Sequence, residues 1–314
     1  MVVVFFGTPQ FAVPTLRRLL DSPYSVAGVI TQPDRPRGRG QKITHAPVKA
    51  LALERGIPVY QPDRLKPPEV ADTLRAWHPD LGVVAAYGRI IPEHLLTIPR
   101  FGMINVHASL LPKYRGAAPV HRAVMSGDEH TGVTIMRVVK ELDAGGMFAK
   151  VTRPIRPDET SDVVETALAD MGAELLVTVV DQLASGTARE ELQDETQATY
   201  APRLTKEEGL IDWTQGASAI HNRVRGLYPW PHAYTFFNGM RLIVLRSAVA
   251  TRTAGASASS PGTILGTTSE GIHVATGDGE LALLEVQPEG RRAMLVHDFL
   301  LGHRLTPGEA FSDS

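Results

Sequence analysis

From residue 1 to about 185 the chain repeats one rhythm, a short apolar run followed by a stretch with helical spacing. Val2–Phe6 (VVVFF) leads into a helical pattern around Phe11–Leu20. Ser25–Thr31 (SVAGVIT) is followed by a Pro-started helix at Pro47–Arg55, with Gly56 as its stop. Leu81–Ala86 precedes a helical segment near Glu93–Ile98, and Met103–His107 precedes another at Ala118–Ser126, closed by Gly127. Gly132–Val138 and a long helix over about Ser161–Leu183 complete the series. Strands that alternate with helices imply an α/β fold, Rossmann-like, with a largely parallel sheet. In such sheets ligands sit beyond the carboxyl ends of the strands.

After about Gly186 the rhythm changes. The stretch GTAREELQDETQATYAPRL is polar and poorly periodic, and reads as a linker over 188–206 between a domain at 1–187 and another at 207–314. Beyond it come a short helix near Ala217–Arg225 and β-like runs split by Asn238–Gly239 and by Asp278–Gly279, both hairpin signals. This half reads as a smaller β-barrel of the oligonucleotide-binding (OB-like) kind, with Thr251–Gly262 as a flexible connection.

Several chemistries are disfavoured at this stage. The chain has no cysteine, so disulfides, a thiol nucleophile and thiolate metal sites are out. Its eleven histidines show no metal spacing, and no metal is expected. Gly7 follows the first strand, but GTPQFA carries one glycine where a dinucleotide fingerprint needs three. No apolar run approaches the roughly 18–20 residues of a membrane helix. The start MVVVFFGTP reads as a first strand rather than a signal peptide; a cytoplasmic address fits the lack of cysteine, and a monomer is expected. A formal net charge of −2 means that any polyanion must meet a local basic patch.

The run INVHASLLPKYRGAAPV (Ile104–Val120) begins as a strand and ends in a Pro- and Gly-marked turn that carries the chain away from the sheet. Side chains on a strand repeat every two residues, so Asn105 and His107 face the same way, roughly 6–7 Å apart. An amide can donate to a developing oxyanion and an imidazole can take or relay a proton, a pairing suited to acyl transfer. Polar groups at strand ends also serve loop backbone, so the pair has a bland alternative. KELDAGGM (Lys140–Met147) follows the next strand and would bring Asp143 to the same sheet edge, where a carboxylate orients an imidazole and favours its charged form. Asp143 could equally cap a turn.

NVHASLLPKYRGAAP followed by ELDAGG resembles the signature of the folate-dependent formyltransferases. The resemblance runs through FFGTPQFAVPTL, TQPDRPRGRGQK, VVAAYGRIIP, TGVTIMRV, DETQATYAPRLTKEEGLIDW, YPWPHAY, PGTIL and ATGDGELALLEVQPEG, nearly the whole chain. It implies that Asn105, His107 and Asp143 form the catalytic triad and that the donor is 10-formyltetrahydrofolate. The pterin would lie against the backbone of Tyr87, Gly88, Arg89, Ile90 and Ile91, bordered by Ser109, Leu110, Leu111 and Pro112. Within the family the resemblance is strongest to members whose acceptor is the α-amino group of methionine esterified to initiator tRNA. One departure stands out: the family commonly places an acid where this chain has Gly146.

A basic loop is commonly no more than a solvated one, but two features of this one point to an RNA partner. Arg35, Arg37, Arg39 and Lys42 fall within eight residues, in a Pro- and Gly-rich stretch that denies them helix or strand. Guanidinium groups suit phosphate and groove recognition, and the loop follows the second strand, so it emerges at the same sheet edge. In the family the matching loop enters the tRNA acceptor end, with Arg39 at the key position. The second domain is expected to add a tRNA-binding surface; LYPWP (Leu227–Pro231) reads there as a buried aromatic corner rather than a base-stacking platform. The rival readings are a formyltransferase acting on an amino-sugar nucleotide, a hydrolase releasing formate from the folate, and an RNA-binding module with an inactive site.

Overall fold

The computed structural model of the chain describes residues 1–34, 36–37, 42–250 and 259–313, with backbone alone at 36–37 and 42–43. The chain divides into two compact units, one of Met1–Pro119, His130–Arg153 and Glu165–Ala201, the other of Val120–Glu129, Pro154–Val164 and Pro202–Ser314. The last crossing between them, at Ala201, falls inside the stretch expected to be a linker.

The first unit opens with β1 (Val2–Gly7), α1 (Ala12–Leu20) and β2 (Ser25–Ile30), then pairs β3 (Pro36–Arg37) with β4 (Lys42–Ile43). There follow α2 (Pro47–Glu54), β5 (Val59–Tyr60), α3 (Pro68–Ala76), β6 (Leu81–Ala85), α4 (Glu93–Leu96), β7 (Met103–His107) and β8 (Arg115–Gly116). After α5 (Pro119–Met125), which falls largely in the second unit, come β9 (His130–Arg137), β10 (Met147–Pro154), α6 (Ser161–Ser185) and β11 (Tyr200–Ala201). The main sheet has the order β10-β9-β7-β6-β1-β2-β5. The pairs β5–β2, β2–β1, β1–β6 and β6–β7 are parallel and β7–β9 is antiparallel. A largely parallel sheet covered on both faces needs strands apolar on both faces, and Val3, Val4, Phe5 and Phe6 of β1 are all fully buried.

Two local expectations change. The β3–β4 pair puts a two-residue antiparallel ladder inside the loop that was expected to have no strand. Helix α3, for which the sequence reading has no counterpart, starts at Pro68, and proline is well tolerated at the first helical position, where its missing N–H has no partner to lose. Helix α6 lies close under β7: a side chain at Gly172 would start 2.7 Å from Cγ1 of Val106. That contact lies on the face of β7 opposite Asn105 and His107.

The second unit contains α7 (Ala217–Gly226), β12 (Ala233–Phe237), β13 (Met240–Ala250), β14 (Ile264–Thr267), β15 (Ile272–Ala275), β16 (Glu280–Pro288), β17 (Met294–Leu295) and α8 (Val296–Gly302). Its strands form an antiparallel sheet in the order β12-β13-β16-β15-β14, with β17 on β16. Asn238 and Gly239 turn β12 into β13 at φ of 50° and 76°, as the Asn–Gly signal predicts. The C-terminal stretch bridges the two ends of the sheet, Phe236 to Ser312 and Thr263 to Ala310. Beneath, Trp213 stacks on Phe311 at 5.6 Å between centroids. The LYPWP corner differs from expectation: Leu227 is fully buried in this core, whereas Trp230 is 50% exposed. Most of the Thr251–Gly262 connection lies outside the described residues. No described helix is long and apolar enough to cross a membrane.

Candidate active site

Asn105 and His107 stand at the carboxyl end of β7, as expected. Along that strand Asn105 alone keeps partial exposure, whereas His107 is 5% exposed. The pairing Val84–Asn105 and Ala85–Val106 aligns the end of β6 with them, so the turn at 86–91 starts beside the pair.

The turn after His107 does not lead away; it folds back around the imidazole. His107 Nε2 lies 2.7 Å from the carbonyl oxygen of Tyr114, which also accepts from Ser109 Oγ at 2.8 Å. Thr134 Oγ1 donates to Ser109 O at 2.7 Å and accepts from Leu111 N at 3.1 Å, pinning the turn to β9. A carbonyl can only accept, so Nε2 carries a proton. The neutral ring therefore presents its lone pair at Nδ1, and only the imidazolium donates there.

Nδ1 faces Asp143 Oδ2 at 3.8 Å, an ion-pair separation rather than a hydrogen bond. The same Oδ2 accepts from Gly116 N at 2.8 Å, which fixes the carboxylate's direction. Asp143 thus joins the site, but by another route than the sequence suggested. Because β9 is antiparallel to β7, Arg137 pairs with Ile104, and His107 pairs with Thr134. The loop after β9 therefore leaves from the wrong end of β7, three residues or about 10 Å from His107. It is closed at its base by Arg137 N donating to Gly146 O at 2.8 Å, and it carries Asp143 back with a φ of 50°. Asp tolerates that left-handed region better than most residues, and such outliers concentrate at functional sites.

The stretch read as a linker supplies partners that sequence reasoning missed. Gln193 Nε2 donates to the carbonyls of Asp143 and Gly145 at 2.7 and 2.8 Å. Its Oε1 accepts from Nε and a terminal nitrogen of Arg115 at 3.1 and 3.0 Å. Arg115 is 2% exposed, and its remaining donors reach Glu195 at 2.6 and 2.9 Å. The hydrogen bonds to Arg115 pull the Glu195 carboxyl below its usual range. No signal in a single sequence marks Gln193, since an amide in a polar stretch has no periodicity to betray it.

Among the residues expected around the pterin, the turn at 86–91 alternates outward and buried positions. Ala86 and Gly88 take positive φ (43° and 79°) and point outward with Ile90, while Tyr87 and Ile91 are buried. The outward positions thus carry little side chain at 86 and 88, and an apolar one, 81% exposed, at 90. Gln32 Nε2 donates to Tyr87 O at 2.7 Å, and Arg89 donates to the carbonyls of Pro62 and Asp63 at 3.1 and 2.7 Å, which hold the turn in place. Burial pushes the Tyr87 hydroxyl up to about 12 despite the charge of Arg89, so it stays neutral. Ser109 and Leu111 spend their polar groups on the frame of His107, leaving half-buried Leu110 and Pro112 as apolar border.

Of the basic loop, Arg35 and Arg39 lie outside the described residues, and Arg37 and Lys42 are described by backbone alone. Its roots are held by Asp34, which accepts from Lys49 at 2.5 Å and Gln61 at 3.2 Å and pairs with His45 at 3.0 Å. Partial burial works against ionisation of Asp34, but the bonds from Lys49, His45 and Gln61 outweigh it and hold the carboxyl well below its ordinary value. Among the described residues, no group of three or more His, Asp or Glu could hold a metal ion.

Comparison with known proteins shows the family. Residues 1–180 match the model of the formyl transferase family, and residues 203–304 match that of the formyl transferase C-terminal domain. The methionyl-tRNA formyltransferase of Trichlorobacter lovleyi is 49% identical over 98% of this chain and 95% of its own length. That of Solibacter usitatus is 48% identical over 100% and 99%. An N-formyltransferase from Helicobacter canadensis, solved with folinic acid and dTDP-3-aminofucose, shares the fold with a TM-score of 0.67. It is 16% identical and covers 90% of this chain and 99% of its own. With both of its parts matched and near-full-length relatives at almost half identity, the chain belongs to the formyl transferase family.

Proposed function

We propose that this chain transfers the formyl group of 10-formyltetrahydrofolate to the α-amino group of methionine esterified to initiator tRNA. Its near-full-length similarity to methionyl-tRNA formyltransferases supports the acceptor. The site observation that carries the chemistry is the meeting of His107 Nδ1 and Asp143 Oδ2 at 3.8 Å, beside a partly exposed amide at Asn105.

The reaction follows from that arrangement. The amine lone pair attacks the formyl carbon, a new C–N bond forms, and the carbonyl oxygen takes up negative charge. The Asn105 amide donates to that oxygen, where a positioned donor is worth most. The attacking nitrogen's proton passes to Nδ1 of neutral His107, the ring position with a free lone pair. Asp143 stabilises the imidazolium that results. Collapse of the tetrahedral centre breaks the bond to the folate nitrogen, which receives the proton from Nδ1. General acid–base help of this kind is typically worth ~10²–10⁴ in rate. On the RNA side, Arg35, Arg37, Arg39 and Lys42 would contact the acceptor end, with affinity falling by about 0.7–0.9 log units per phosphate contact per decade of salt.

Incubation with 10-formyltetrahydrofolate and methionyl initiator tRNA should give N-formylmethionyl-tRNA. Uncharged tRNA and an amino-sugar nucleotide should give no formylated product, and folate should persist without an acceptor. Transfer to the sugar amine with none to the charged tRNA would overturn the acceptor assignment.

A further inference from the structure

The position of Asp143 needs an explanation that its own strand does not provide. Its loop leaves β9 about 10 Å short of His107, yet its carboxylate arrives opposite Nδ1. The segment after α6 bridges that gap on both sides. Glu191 exchanges backbone hydrogen bonds with Met147 at 2.7 and 2.9 Å, at the end of the Asp143 loop. Ten residues on, Tyr200 and Ala201 pair with Arg115 and Gly116, the end of the turn that wraps His107. Gly116 has a φ of 110°, and a side chain there would begin 2.8 Å from Ala201 O, so the contact requires glycine. Between the two anchor points, Gln193 takes both loops at once. Its amide N–H groups hold the carbonyls of Asp143 and Gly145, while its oxygen is held by buried Arg115.

We infer that Gln193 is the positioning residue of Asp143: with Arg115 as its anchor, it sets the carboxylate against the imidazole and so governs the chemical step without touching substrate. This rests on the reading that Asp143 takes part in formyl transfer. The amide is suited to the task because it is donor and acceptor at once. A carboxylate in its place keeps the pairing with Arg115 but can no longer donate to either loop carbonyl.

The test uses the full chain in steady-state formylation of methionyl initiator tRNA. Gln193→Glu preserves size and the Arg115 partner but sets a carboxylate oxygen against the carbonyls of Asp143 and Gly145, so it should lower the melting temperature while leaving a cooperatively folded chain. It should lower kcat by about 10²-fold, the scale of a misplaced catalytic group, with KM for the folate little changed. Because the effect runs through Asp143, it should vanish in the double variant: in an Asp143→Asn background, Gln193→Glu should cost no further kcat. The imidazole ¹⁵N signals of His107 should move in Gln193→Glu in the same direction as in Asp143→Asn. Unchanged kcat in Gln193→Glu, or losses that multiply with Asp143→Asn, would overturn the inference and assign Gln193 to packing. If Asp143→Asn by itself retains full kcat, the fault lies instead with the catalytic reading of Asp143.

Discussion

His107 and Asp143 lie within ion-pair distance but reach the site by contrasting means. His107 is delivered by β7, a strand buried between β6 and β9 and backed by α6 through the close approach of Gly172 to Val106. Its direction follows from strand alternation and is secured by the carbonyl of Tyr114 seven residues later. Asp143 sits on a loop whose parent strand runs the other way, and it is held by Gly116, 27 positions before it, and by Gln193, 50 positions after it. A strand-borne group is held by the sheet's own cooperativity, whereas a loop-borne group depends on a few side-chain bonds. The two should therefore respond differently to substitution.

The largest effects are expected on the strand-borne side. His107→Ala should lower kcat by about 10²–10⁴, the range for loss of general acid–base help, with folate still bound in equilibrium dialysis. Loss of folate binding in step with kcat would mean that His107 holds the ligand rather than the proton. Asn105→Ala should cost about 10²–10³ in kcat, as loss of an oxyanion donor does. Near-normal turnover in the purified variant would remove that assignment.

On the loop-borne side, an intermediate effect on stability is expected at Gly146. A side chain there would start 2.4 Å from Cγ of Glu190, whose carboxylate accepts from Arg137 Nε at 2.8 Å. The carboxylate that the family commonly carries at this place thus has its space filled from another part of the chain. Gly146→Asp should destabilise the protein by ~1–3 kcal/mol, as overpacking does, and Glu190→Ala should restore most of the loss by leaving Arg137 to the new acid. Thermal melts of the two single variants and the double variant check this; additive losses would show that the two acids do not share one place.

The smallest effect concerns the roots of the basic loop. The Asp34 carboxyl, lowered by its bonds in the folded protein, contributes stability that is present above its ordinary value of 3.8 and lost as pH falls below it. Asp34→Asn should therefore cost about 1–2 kcal/mol near neutrality, the scale of hydrogen bonds to a charged group. The gap from the parent should narrow as pH drops from 4 toward 2. A gap that stays constant down to pH 2 would separate the effect from ionisation.

Much of the molecule was legible beforehand because local patterns carry it. The runs at Val2–Gly7, Ser25–Ile30, Leu81–Ala85 and Met103–His107 are strands where their apolar content places them. The glycine at 56, the Asn–Gly hairpin and the long helix from Ser161 follow from backbone preference. Asn105 and His107 share a face because alternation along a strand leaves no other arrangement. What failed was non-local. The direction of β9, and the pinning of the 108–116 turn by Thr134, depend on partners more than 20 positions along the chain.

The sequence by itself determined the alternating α/β half, the antiparallel half and the identity of the groups at the end of β7, since each is written in a periodicity of a few residues. Tertiary structure alone decided how Asp143 meets His107 and which residue holds it there. Those contacts close loops of some 50–80 residues, as from Gln193 to Asp143 and to Arg115. No local preference encodes such closures; they form only once the sheet has brought the loops together.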